Sequence, residues 1–246
     1  ILFSFFILSK KKIYALNKKK FLFILKKNKK NLIYDDEKKN SKISIIKKIL
    51  SKLEINFSKN DTNILEKESF LNGFNVNNLN FLNGVKYSLL HYDEKWVKKL
   101  YIKIYKNIEL NSNELEYFAG LIIKKRKENL VITSGKFSTK SLDELKLTMT
   151  HLSNNVYIKK IHNYFLYYIE QPNFYELIEI IRKSKMNITC HGSVTHISSS
   201  FGIKTIDIID ESKILLYRAY TAHLKNYNEV MRLNPKTTTE NILSLL

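Results

Sequence analysis

The chain has 246 residues, 44% of them hydrophobic, enough for one large domain or two of ordinary size with a full core. Two prolines and six glycines exclude a proline-rich or collagen-like chain, and a single cysteine, Cys190, excludes an intrachain disulfide and multi-cysteine zinc sites. The formal net charge of +19 invites a nucleic-acid reading, but lysine supplies nearly all of the positive charge: Arg126, Arg182, Arg218 and Arg232 are the only arginines. Asn, Ile, Tyr and Phe are abundant, a bias expected of codons drawn from an AT-rich genome; a surface that reads base edges or clamps phosphates bidentately would use more arginine. We therefore expect no nucleic-acid partner, while the charge still favours an anionic membrane surface or a negatively charged substrate.

In chain order, Ile1–Leu8 is apolar and Lys10–Lys12 follows it, the reverse of a signal peptide's order and too short for a span of about 20 residues. It reads as a strand or helix of a domain that starts upstream. Short apolar runs at Ile13–Leu16, Phe21–Leu25 and Leu32–Tyr34, separated by lysine clusters, predict strands with basic turns. Ser41–Leu53 carries a helical stripe of Ile43, Ile45, Ile46, Ile49, Leu50 and Leu53. The Asn- and Ser-rich stretch Ser58–Asn83 reads as a connection, with a domain boundary near Leu79 and domains of residues 1–79 and 80–246.

The second domain alternates strand and helix. Val85–His91 predicts a strand that runs into Tyr92–Trp96. Asn113–Lys127 predicts a helix, Leu130–Thr133 a strand ending in Ser134 and Gly135, Ser141–His151 a helix or extended loop, and Val156–Ile161 a strand. Phe174–Ser184 is an amphipathic helix opened by Gln171 and Pro172. Ile188–Cys190 is a short buried strand, after which Gly192 turns the backbone, Ser193 caps a helix, and Gly202 closes it before the strand Ile203–Ile209. Tyr217–Met231 carries Tyr220, His223, Tyr227 and Met231 at helical spacing. The alternation predicts an α/β fold with a doubly wound parallel sheet.

Chemistry should gather at the carboxyl ends of such strands, where His91–Trp96, Ser134–Phe137 and His191–His196 would converge. The start of the helix after Gly192 offers backbone N–H groups and the positive end of a dipole, which attract an anion. His191, Ser193, Thr195 and His196 add more hydrogen-bonding groups than a structural turn needs. Lys95 is positioned to meet a diphosphate, Trp96 reads as packing, and Asp93 reads as either a base or a helix cap. Cys190 has His191 beside it, but a cysteine ending an apolar strand reads as inert core. The two histidines lack the spacing and the carboxylate of a helical zinc site, and the chain has no Asp-x-Asp, GxGxxG, P-loop or GxSxG motif. No metal or cofactor is expected.

Taken together, HYDEKW after a strand, FYELIEII before one and CHGSVTHISSSFGIKTIDIID resemble the nucleotide-binding half of the heptosyltransferase-like glycosyltransferases. In that family a strand runs into a loop bearing lysine and tryptophan, matched by Lys95 and Trp96, and an Asp-Thr-Gly-x-x-His turn opens a helix at the donor diphosphate. Gly192 and His196 match that turn loosely: Cys190 stands where the acid is usual, His191 replaces a small polar residue, and one extra residue precedes His196. The resemblance covers Val85–Asp210. It implies the two-domain GT-B fold, with a partial acceptor-side domain before residue 80 and a complete nucleotide-sugar-binding domain after it. It also implies inverting, metal-independent transfer from a nucleotide-diphosphate sugar to a saccharide or lipid-linked acceptor of the cell envelope, in the cytoplasm or at the inner face of the membrane. The donor would lie against Lys95, Ser134, Gly135, His191, Gly192, Ser193, Thr195 and His196. The family's general base lies near the start of the first domain, so here it is expected upstream of Ile1 rather than at Asp35 or Asp36.

Two rivals stand beside this reading: a basic nucleic-acid-binding protein, and a non-catalytic relic that binds sugar nucleotide and transfers nothing.

Overall fold

The computed structural model describes residues 77–97 and 105–246, together with the short strands β1 (Leu8–Ser9), β2 (Lys12–Tyr14) and β3 (Leu32–Ile33). The chain divides into two compact units, one of Ile1–Thr62 with Leu215–His223 and a larger one of Asn63–Ile214 with Leu224–Leu246. In the smaller unit β1 pairs antiparallel with β2, and β2 parallel with β3. The predicted strand Phe21–Leu25 and the helix Ser41–Leu53 lie outside the described residues.

The larger unit is built on an eight-stranded sheet. Its strands are β4 (Tyr87–His91), β5 (Asn129–Thr133), β6 (Thr150–Ser153), β7 (Val156–Ile161), β8 (Tyr164–Ile169), β9 (Met186–Cys190), β10 (Lys204–Ile209) and β11 (Tyr227–Met231). Its helices are α1 (Ser112–Arg126), α2 (Lys140–Leu147), α3 (Phe174–Lys183), α4 (Ser193–Ser200) and α6 (Pro235–Ser244), while α5 (Ile214–Thr221) passes into the smaller unit. The strand order is β11-β10-β9-β4-β5-β8-β7-β6. Its six parallel members run in the order of a Rossmann-like fold, with the direction of winding reversing between β4 and β9.

Alternation along the strands explains the layers, because successive side chains leave opposite faces of a sheet. Leu90, Leu130, Ile132, Leu166, Tyr168 and Ile188 point to one face, into a core shared with Leu115, Phe118 and Ile122 of α1, Leu142 and Leu145 of α2 and Ile242 of α6. Tyr87, Leu89, Val131, Tyr167 and Ile169 point to the other, onto Ile180 and Ile181 of α3 and Val194 of α4. Leu79, at the predicted boundary, is buried in this second core.

Three expectations need correction. The sheet is mixed, since β7 pairs antiparallel with both β6 and β8. Residues 141–151 split into α2 and the start of β6, and β8, which follows a two-residue turn, was not expected at all. Two residues in positive φ, Asn154 (39°) and His162 (55°), reverse the chain at the two hairpins without glycine; asparagine takes this conformation readily, whereas histidine at the second turn is no usual turn signal. The stretch Tyr217–Met231 is not one helix: α5 ends at Thr221, Asn226 takes φ 51°, and Tyr227–Met231 forms the edge strand β11 parallel to β10. Tyr227 and Met231 fit a helical stripe equally well; pairing with a distant strand decides for extension. A last helix, α6, was also unforeseen; Asn234 caps it and Pro235 opens it.

Candidate functional site

A pocket of about 560 Å³ opens at the carboxyl ends of β4, β5, β8 and β9, over the point where the strand order reverses. It is walled by Asp93, Glu94 and Lys95 after β4, Ser134–Lys136 after β5, Gln171 and Pro172 after β8, and His191–Val194 after β9. The three loops expected to converge do meet here, and the β8 loop joins them.

The β4 loop is the most constrained. Asp93 caps the short 3-10 turn Glu94–Trp96, accepting from the Lys95 backbone N–H at 3.2 Å, and pairs with the Lys95 ammonium. The capping role considered for Asp93 is thus the one it fills. Burial alone would push the Asp93 carboxyl up, but Lys95 and His91 outweigh it and hold it at about 2. So acidic a carboxyl is a poor proton acceptor near neutral pH. Burial would likewise lower Lys95, and Asp93 raises it instead, so both groups stay charged. Trp96 is fully buried, stacks on Tyr92 at 4.5 Å and donates from Nε1 to the His91 carbonyl, outside the pocket lining.

Glycines set how closely the loops approach. The Lys95 Nζ lies 2.9 Å from where a Cβ on residue 192 would be, so the ammonium rests against the backbone that opens α4. A side chain at 135 would collide with the Glu94 carboxylate and come within 2.8 Å of Asp93 Cβ. The Ser134 hydroxyl accepts from the Gln171 N–H at 2.7 Å, tying the β5 and β8 loops together.

The β9 loop is held from below by an acid the sequence reading did not single out. Asp207, on β10 and fully buried, accepts from Thr195 Oγ1 (2.9 Å), His191 Nδ1 (2.7 Å) and the Tyr227 hydroxyl (2.8 Å). A carboxylate can only accept, so the proton on His191 Nδ1 is fixed. Thr195 also accepts from the Gly192 N–H at 3.3 Å. Gly192 is therefore the N-cap residue and Ser193, expected as the cap, is the first residue of α4. At its other end Gly202, at φ 69°, closes α4 as expected, with Ile203 N–H bonding to the Ser198 carbonyl.

Of the expected ligand residues, Lys95, Ser134, Gly135, His191, Gly192 and Ser193 line the pocket; Thr195 and His196 do not. Thr195 is buried on Asp207, and His196 packs edge-on against the His191 ring, centroids 5.6 Å apart. Cys190 is buried, and burial with the Asp93 charge pushes its thiol up to about 12, which suits inert core.

Arg232 was also missed. It is 1% exposed, donates to the backbone carbonyls of Lys95 and Lys106, and lies 4.9 Å from the Tyr105 ring centre. Its place just after a strand mistaken for helix hid that role. Among the described residues no cluster of three or more His, Cys, Asp or Glu is arranged to hold a metal ion, and no helix is long and apolar enough to cross a membrane. A scan against protein-family models and a search of curated proteins each find no match to the chain.

Proposed function

We propose that this pocket holds the diphosphate of a nucleotide-diphosphate sugar, and that the protein is a glycosyltransferase of GT-B type acting on a saccharide or lipid-linked acceptor of the cell envelope. The observation that carries this reading is the placement of the Lys95 ammonium against Gly192 at the start of α4. Although Asp93 already pairs with Lys95, the ammonium and the positive end of the helix dipole lie side by side, and both attract an anion that reaches this point of the pocket. The pocket also carries Asp93 and Glu94 beside Lys95 and Lys136, so it is not simply basic. A ligand with one anionic part and one part rich in hydroxyl donors suits that mixture better than a bare polyanion. The family resemblance joins the same residues to metal-independent, inverting transfer.

Gly192→Ala gives the cleaner test. The added Cβ comes tightly only against the flexible end of Lys95, meeting the Cys190 carbonyl at an ordinary 3.8 Å, and Gly192 sits at φ 172°, extended backbone open to any residue. Calorimetry should show nucleoside diphosphates binding about tenfold more weakly to Gly192→Ala and to Lys95→Ala, as loss of a charge-assisted contact implies. Unchanged affinity in both would remove the diphosphate from this site. Binding of sugar nucleotide without transfer by the full-length protein would identify a relic, and steeply salt-dependent binding of random duplex DNA without sugar-nucleotide binding would favour the nucleic-acid reading.

A further inference from the structure

Among the described residues, Glu94 is the pocket carboxylate with an oxygen that has no partner. Asp93 is answered by Lys95, whereas Glu94 Oε2 is buried and has no hydrogen-bond partner among the described residues. Glu94 as a whole is 9% exposed and lines the pocket. Lys95 feels the Glu94 charge but pairs with Asp93, and no ion pair joins Glu94 to a cation among the described residues. A buried carboxylate oxygen without a donor is unfavourable, and replacing it by an uncharged group should stabilise the fold or leave it unchanged. Yet the site is shaped around this side chain, since residue 135 can only be glycine while the Glu94 carboxylate lies where a Cβ would be. An unsatisfied acid that a glycine makes room for, on the wall of a pocket, is better explained by a ligand than by packing.

We propose that Glu94 accepts a hydrogen bond from a hydroxyl of the sugar carried by the ligand, and so distinguishes a sugar-bearing nucleotide from the free nucleoside diphosphate. A hydroxyl fits better than an ammonium because Lys95 and Lys136 line the same pocket and would repel a second cation. The carboxylate turns from Gly135 toward the ligand to make the bond. Lys95 and the start of α4 take the diphosphate, and Glu94 reads what the diphosphate carries. This rests on the function proposed above.

The test is calorimetry on the full chain with uridine, guanosine and adenosine diphosphates, each free and as its hexose ester, using wild type, Glu94→Gln and Glu94→Ala. Wild type should bind one hexose ester about tenfold more tightly than the matching free diphosphate, the size expected of one hydrogen bond to a charged acceptor. Both variants should lose that preference, bind the free diphosphate at least as tightly as wild type does, and unfold at a temperature no lower than wild type. A preference that survives in Glu94→Gln and Glu94→Ala, or no preference in wild type, overturns the role of Glu94 while the diphosphate site stands. Equal loss of affinity for both ligands, or a lowered melting temperature in both variants, assigns Glu94 to the structure of the loop and also overturns it. Failure of wild type to bind any of the six compounds removes the function proposed above, and this inference with it.

Discussion

Asp93 and Lys95 form an ion pair that burial opposes on both sides, so the pair persists only while both members are charged. The Asp93 carboxyl falls from 3.8 to about 2 on folding. A depressed acid contributes stability above its unfolded value and loses it as pH falls through the folded one. The stabilising effect of Asp93 over Asp93→Asn should therefore be fully present above about pH 4, amount to roughly 2 kcal/mol there, and vanish as pH falls to about 2. Urea titrations of both proteins across that window would measure it; a difference independent of pH would show that the carboxyl is not held by Lys95. Asp207 works differently: three hydroxyl or ring donors, rather than an ammonium, answer its charge, and it fixes the tilt of His191 at the pocket's edge.

Helices α1 and α3 were legible from their apolar spacing, while their N-caps, Asn111 and Asn173, lie elsewhere than the starts read at Asn113 and at Gln171 and Pro172. Asn111 with Glu114, and Asn173 with Glu176, form reciprocal capping boxes, and apolar positions recur at helical spacing between caps and basic last turns. The β7–β8 hairpin was not legible, because its turn puts His162 rather than glycine or asparagine in a left-handed conformation. His162 carries this strain at φ 55° between Ile161 and Tyr164 of the β7–β8 pair. Replacing it with glycine should raise stability or leave it unchanged, and His162→Val should lower it by about 1 kcal/mol, since a branched Cβ crowds the following carbonyl there. Shifts in urea midpoint with an unchanged slope would measure both. Equal stability of the glycine and valine variants would mean that another turn geometry is accessible.

Across the larger unit, the winding reverses between β4 and β9, and four loops from four separate strands line the pocket there. If a nucleotide-diphosphate sugar binds there, hydrogen exchange should slow at residues 92–96, 134–136, 171–172 and 191–195. It should stay unchanged in the β6–β7 hairpin, which the fold places at the opposite edge of the sheet from β11. Protection centred on the hairpin instead would relocate the site.

The sequence by itself determined the α/β class, most strands and helices of residues 85–210 and the three loops that carry chemistry. Apolar periodicity, caps and glycines act over a few residues and are visible along the chain. Only the tertiary structure decided that the sheet is mixed, that Tyr227–Met231 is a strand, that Asp207 and Arg232 hold the pocket's loops, and that Glu94 packs against Gly135 on its wall. Each depends on a partner far away in sequence: β10 for β11, the β9 loop for Asp207, the Lys95 carbonyl for Arg232, and Gly135 for Glu94. Such pairings are chosen by which groups burial brings together, and that choice is made by the whole fold rather than by any one stretch of it.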